Sequence, residues 1–150
     1  MNKKFACIVA FAAAALSSPA LAQFAKPDDA VKYRQSALTL MNTHLLRIAA
    51  MANGRVPYDA KVASENAELL ATLSRLPWAG FGPDTDMISP KAKPEIWIQK
   101  ARFDDLAEKM TAETTKLAAA AKTNNLDNLK SAFGATAASC KNCHDVFRGR

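Results

Sequence analysis

Residues 126–150 read LDNLKSAFGATAASCKNCHDVFRGR, and the spacing of the side chains within them decides the fold. Leu126, Leu129, Phe133, Thr136, Cys140, Cys143 and Phe147 follow one another at alternating steps of three and four residues without interruption. That is the spacing of a core-facing stripe on a helix, and it puts both cysteines on the inward side. His144, one turn after Cys140, projects from nearly the same side.

Cys140-Lys141-Asn142-Cys143-His144 contains the only cysteines besides Cys7. Two thiols three positions apart can form thioether bonds to the two vinyl groups of one haem, and the adjacent imidazole can ligate its iron. A redox dithiol would usually sit where a strand enters a helix, and no strand precedes Cys140. Zinc would need four ligands, yet the only other imidazole, His44, is far away in sequence. The expectation is one covalent haem c per chain, bound through Cys140 and Cys143 with His144 as axial ligand.

Working back from this helix, Asn124-Asn125 breaks and caps. Before it, Ile96, Phe103, Leu106, Met110, Leu117 and Ala121 mark a third helix. From Pro77 to Pro94 the chain holds four prolines and two glycines, so this connection is neither regular helix nor interior strand. Trp78, Phe81, Met87 and Ile88 make it too apolar for a solvated linker, and it is expected to lie across the bundle. A second helix is expected to open at Pro57 and close at Pro77, with Val62, Leu69, Leu73 and Leu76 on its inward side. The first runs from about Asp28 to Ala52, with Val31, Leu38, Met41, Leu45, Ile48 and Ala52 on its stripe and Asn53-Gly54 as its stop. No segment alternates long enough to be a strand. The predicted fold is all-α: an antiparallel four-helix bundle with one long crossing connection and a covalently bound haem on the last helix.

Lys3 and Lys4, the apolar run Cys7 to Leu16 and the small residues Ala20-Leu21-Ala22 have the pattern of a secretory signal peptide. The run is shorter than the roughly 20 residues of a membrane span. The pattern implies a signal at 1–22 and one domain at 23–150, in the periplasm and without a membrane anchor. Removing Lys3 and Lys4 from the 20 basic residues leaves 18 against 14 acidic ones, a formal charge of +4. Two haem propionates would lower this to about +2, which argues against nucleic acid or anionic membrane as partner.

The chain resembles the cytochromes c prime, the class II c-type cytochromes. The resemblance rests on Lys32-Tyr33-Arg34-Gln35-Ser36-Ala37-Leu38, on Leu76-Pro77-Trp78-Ala79-Gly80-Phe81-Gly82-Pro83, on Pro94-Glu95-Ile96-Trp97 and on the terminal motif. It implies a four-helix bundle, commonly dimeric through its early helices, and a five-coordinate haem whose open face binds small gases. It further implies that Leu38 stands over the iron, where six-coordinate relatives have methionine, and that Arg34 and Gln35 contact the haem edge. Arg148 would border the proximal side.

The residues leave alternatives open. Asp145 to Arg150 include no methionine, histidine or lysine, so a sixth ligand would have to come from an earlier helix. Met41, one turn from Leu38, is either that ligand or core filler. Met51, Met87 and Met110 are weaker candidates, and His44 lies to the side of the stripe. Arg34 either meets a haem propionate or marks the solvated end of the bundle. Arg148 either covers the proximal face or caps the helix. Trp78, Phe81 and Trp97 either pack on haem or anchor core and loop.

Two functions fit. One is a non-enzymatic haem protein that binds nitric oxide and carbon monoxide at an apolar distal face, with a role in nitric oxide scavenging and with Fe(III)/Fe(II) redox activity. The other is a six-coordinate electron carrier between exported redox partners, with Met41 as second axial ligand.

Overall fold

A computed structural model describes residues 23–89 and 91–149, so the expected export signal at 1–22 lies outside the described residues. Four long helices, α1 (Pro27–Ala52), α2 (Ala60–Leu73), α4 (Lys100–Ala121) and α5 (Leu126–Phe147), form the bundle, with a short α3 (Glu95–Ile98) before the third. In α1, Pro27 supplies a preset φ in the first turn, where its missing N–H costs nothing, and Asp28 and Asp29 oppose the positive end of the helix dipole. Gly54, at φ +67°, ends it in the left-handed conformation. The Asn125 side chain caps α5 by accepting from the backbone N–H of Asp127 (2.9 Å) and Asn128 (3.0 Å).

Short connections make α1 and α2, and α4 and α5, antiparallel neighbours, and α2 against α4 and α1 against α5 close the bundle. Among the described residues no strand forms. The crossing connection begins with a 3-10 turn at Pro77–Gly80 and runs irregularly to α3. It lies hard against α1, because a Cβ on Gly80 would come 2.6 Å from the Ala30 carbonyl oxygen and 2.7 Å from the Arg34 Cβ. Further on, Lys93 N–H donates to the Phe147 carbonyl (3.1 Å) and Gly149 N–H to the Lys91 carbonyl (3.0 Å), so the crossing also pairs with the end of α5.

The core has two parts. Ile48, Met51, Ala63, Ala67, Leu117 and Leu129 belong to a cluster that fills the bundle between all four long helices. Phe81, Ile96, Phe103 and Phe147 form a second cluster under the crossing. Phe103 is its hub, with ring centroids 4.8 Å from Phe81, 5.7 Å from Trp78 and 5.4 Å from Phe147.

Three expectations need correction. Helix α2 starts at Ala60 under an Asp59 cap that accepts from Val62 N–H (3.0 Å), after Pro57 rather than at it, and it ends at Leu73, before Pro77. Its inward face is Ala63, Asn66, Ala67 and Leu70, while Val62, Leu69 and Leu76 are exposed. The alanines let α2 approach its neighbours closely, so the small residues rather than the leucines mark the contact. The third helix is also broken at Gln99, which leaves Ile96 buried with Phe103 and Ile98 77% exposed.

Replacing Gly80 with Ala should destabilise the fold by about 1–3 kcal/mol through overpacking. Asn125→Ala should remove about 1 kcal/mol of helix capping. Thermal unfolding of each variant against the parent measures both losses.

Candidate haem site

Between α1, α4, α5 and the crossing lies a cavity of about 740 Å³, within the roughly 300–1,000 Å³ of small-molecule and cofactor sites. Cys140, Cys143 and His144 line it from α5, Leu38 and Met41 from α1, and Trp78 and Phe81 from the crossing. Arg34, Gln35 and Arg148 complete the set expected from sequence. Trp97 is not among the lining residues; its indole N–H donates to the Gly82 carbonyl (3.1 Å) and anchors the crossing. His44 is tied instead to α2, with Nδ1 2.9 Å from Asn66 Oδ1.

The two thiols are unbonded and half-buried. Burial raises both their pKa values, that of Cys143 to about 11 with the neighbouring Cys140 adding to it. They stand three residues apart on an unbroken helix, and both line the cavity. Among the described residues, no group of three His, Cys, Asp or Glu side chains is placed to hold a metal ion. His144 sits at the mouth, its pKa lowered by partial burial and then by the charge of Arg148.

Arg34 departs furthest from expectation. It is 1% exposed, so it does not mark a solvated end. Its Nη1 donates to the Gly80 carbonyl (2.7 Å) and to Thr85 Oγ1 (3.0 Å), and Nη2 donates to the Thr85 carbonyl (3.3 Å). The guanidinium carbon lies 4.3 Å from the centroid of Phe81 and 5.7 Å from that of Trp97. The crossing folds back with its carbonyls turned inward, and they replace the water the guanidinium gives up. Burial lowers its pKa, yet a guanidinium stays charged in a protein.

Sequence reasoning did not assign Thr114 and Phe103 of α4 or Ser89, Lys91 and Ala92 of the crossing to the site; of the weaker ligand candidates, Met110 lines the cavity, whereas Met51 and Met87 do not. Phe103 and Met110 were on the expected α4 stripe, so their inward direction was legible. Lys91 reaches the cavity only because the crossing pairs with Phe147 and Gly149, which no local signal encodes. The α1 wall is also less uniformly apolar than expected. Gln35, Thr39 and Asn42 line it beside Leu38, Met41 and Leu45, because the cavity wraps past the edge of the stripe. The Thr39 hydroxyl is already spent on the Gln35 carbonyl (2.8 Å).

The charges that line the cavity are all of one sign. Arg34, Lys91 and Arg148 contribute to it, while His144 is a neutral imidazole, and no Asp or Glu of the described residues lines the cavity. Two inward thiols with an adjacent imidazole, a largely hydrocarbon interior and a cationic margin suit a flat apolar macrocycle bearing carboxylates. The donor set and the space fit haem c.

Comparison with known proteins agrees. The family model described as Cytochrome C' matches residues 29–148. Cytochrome c′ of Alcaligenes xylosoxydans xylosoxydans is 52% identical over 126 residues, covering 84% of this chain and 98% of the relative. The crystal structure of cytochrome c′ from Rubrivivax gelatinosus superposes with a TM-score of 0.81 at 50% identity, covering 85% of this chain and all of that one. A nitric oxide complex of a leucine-to-alanine mutant of cytochrome c prime from Alcaligenes xylosoxidans gives a TM-score of 0.80 at 49% identity, covering 85% of this chain and 99% of that chain. With its attachment motif opening into a cavity of suitable size, the chain belongs to the cytochrome c′ family of covalent haem proteins.

Proposed function

We propose that Cys140 and Cys143 hold one haem c by thioether bonds, that His144 is its axial ligand, and that Leu38 stands over the opposite face as a steric filter for nitric oxide and carbon monoxide. When bound, the haem supplies an iron that takes up such gases and cycles between Fe(III) and Fe(II). The carrying observation is the contrast between two α1 neighbours that both line the cavity. Leu38 is 36% exposed and projects into the open space, whereas Met41 is 6% exposed and packed in the main core cluster. A methionine so engaged is held by its hydrocarbon contacts, and drawing its sulfur out to bond iron would leave a void behind. Leucine has no lone pair, so it excludes by bulk alone.

The remaining residues have subsidiary parts in this reading. Trp78 and Phe81 pack against the macrocycle, and Arg34 and Gln35 meet its edge. Arg148 lies one turn after His144, and its backbone N–H donates to the His144 carbonyl (3.0 Å), so it both ends α5 and borders the proximal side. Gas capture is the role we assign, with nitric oxide scavenging as its biological form and electron exchange with exported partners as a second use. The complex named for the Alcaligenes relative supports nitric oxide as ligand. The electron-carrier reading keeps one observation in its favour, since Met41 does line the cavity.

We further assign residues 1–22 as a cleaved signal and 23–150 as one exported periplasmic domain. In keeping with this, no described helix is long and apolar enough to cross a membrane. Leu40 and Leu46 of α1 and Val62 and Leu69 of α2 are exposed, which supports a homodimer through these helices.

Mass analysis of the exported protein should give a chain starting at Gln23 plus one haem, and Cys140→Ala should weaken or abolish attachment. The absorption spectrum should be high-spin and change on adding carbon monoxide. A sharp low-spin spectrum that carbon monoxide leaves unaltered would establish the Met41 alternative, and Met41→Leu would then convert it. Leu38→Ala should speed carbon monoxide association about tenfold or more, which is about 1.4 kcal/mol of barrier; an unchanged rate in stopped flow removes the filter.

A further inference from the structure

The geometry points to a second task for Arg34: it is a positioning residue that clamps the crossing connection onto α1, and its buried charge, paired with no protein carboxylate, biases the bound haem towards Fe(II). The inference rests on the haem attachment proposed above.

The clamp has three parts. Two carbonyl oxygens and a hydroxyl of the crossing, from Gly80 and Thr85, receive N–H groups from one planar fork. Thr85 in turn donates from Oγ1 to the Gly82 carbonyl (2.8 Å), so the same contact closes the loop on itself. Phe81, whose ring lies under the guanidinium at 4.3 Å, is also part of the cavity wall. Gly80 permits the approach, since any side chain there would collide with the Arg34 Cβ. The Phe81 part of the wall is therefore held in place from α1 through Arg34, while Trp78 is tied to the end of α2, its indole N–H donating to the Ser74 carbonyl (2.7 Å).

The charge has no acidic counterpart. Among the described residues no ion pair involves Arg34, and its partners are carbonyl and hydroxyl dipoles and two ring faces. Such partners solvate a cation without cancelling it. No carboxylate of the described residues lines the cavity, so the only anionic groups that would share this edge with the guanidinium are the propionates the haem itself brings. A cation held close by disfavours the oxidation state with the greater positive charge, which is Fe(III).

The test uses holoprotein variants, each first weighed for covalent haem; a parent without haem would end the attachment reading itself, a failure distinct from that of the clamp or of the potential. In Arg34→Met, the ferrous-to-ferric ratio at a fixed solution potential should fall at least threefold, where tenfold corresponds to about 59 mV for a one-electron couple. Hydrogen exchange of the Phe81 to Asp86 amides should accelerate at least tenfold. Arg34→Lys, which keeps a charge but loses the fork, should loosen the same amides with a smaller change in potential. Thr85→Val should loosen them at the parent potential. Arg34→Gln, which retains a donor for the Gly80 carbonyl, must also lower the potential and serves if Arg34→Met does not accumulate. A parent-like potential in the neutral variants overturns the electrostatic part, and parent-like exchange in Arg34→Lys and Thr85→Val overturns the clamp.

Discussion

Cys140, Cys143 and His144 line one cavity from α5, and the thioether attachment proposed for them requires open space in front of that face of the helix. The bundle accommodates this by dividing its interior. On one side of Met41 and Leu70, small and branched residues fill the space between helices; on the other lies the cavity, which the aromatic cluster and the crossing partly enclose. The long connection between α2 and α4 is therefore structural: it supplies a wall where, among the described residues, no further long helix stands.

Much of this was legible because the periods were long and the stops strong. An uninterrupted stripe from Leu126 to Phe147, the Asn125 cap and the Asn53-Gly54 stop survive intact in the structure. The face of α2 was misread because hydrophobic periodicity weighs leucine above alanine, whereas close helix contact rewards small side chains. Val62 and Leu69 belong to a different surface from Ala63 and Ala67. Along the crossing there is no period to read, so proline and glycine revealed only that it was irregular.

The site divides in the same way. Cys140, Cys143, His144 and Met41 were found by spacing, whereas the places of Gln35 and Leu38 came from the family resemblance, and the set expected to surround the haem, Trp97 excepted, does line one cavity. Lys91 and Ser89 were invisible because their placement depends on contacts with residues far away in sequence. Arg34 was recognised as anomalous, an ionic side chain on an apolar stripe, but its loop partners lie 46 and 51 positions further on. Such an anomaly can be seen locally, while its resolution is a property of the tertiary structure.

Helix α1 spans both halves of the interior and is fixed at both of its ends. Its later turns, with Ile48, Met51 and Ala52, are wedged among alanines and leucines of the main core. Its first turns are buried at Ala30, Val31 and Arg34, with Gly80 of the crossing seated directly on Ala30 and Arg34. Gln35, Leu38 and Asn42, which line the cavity, therefore sit on a span of helix anchored before and after them, so their placement is inherited from packing outside the site itself.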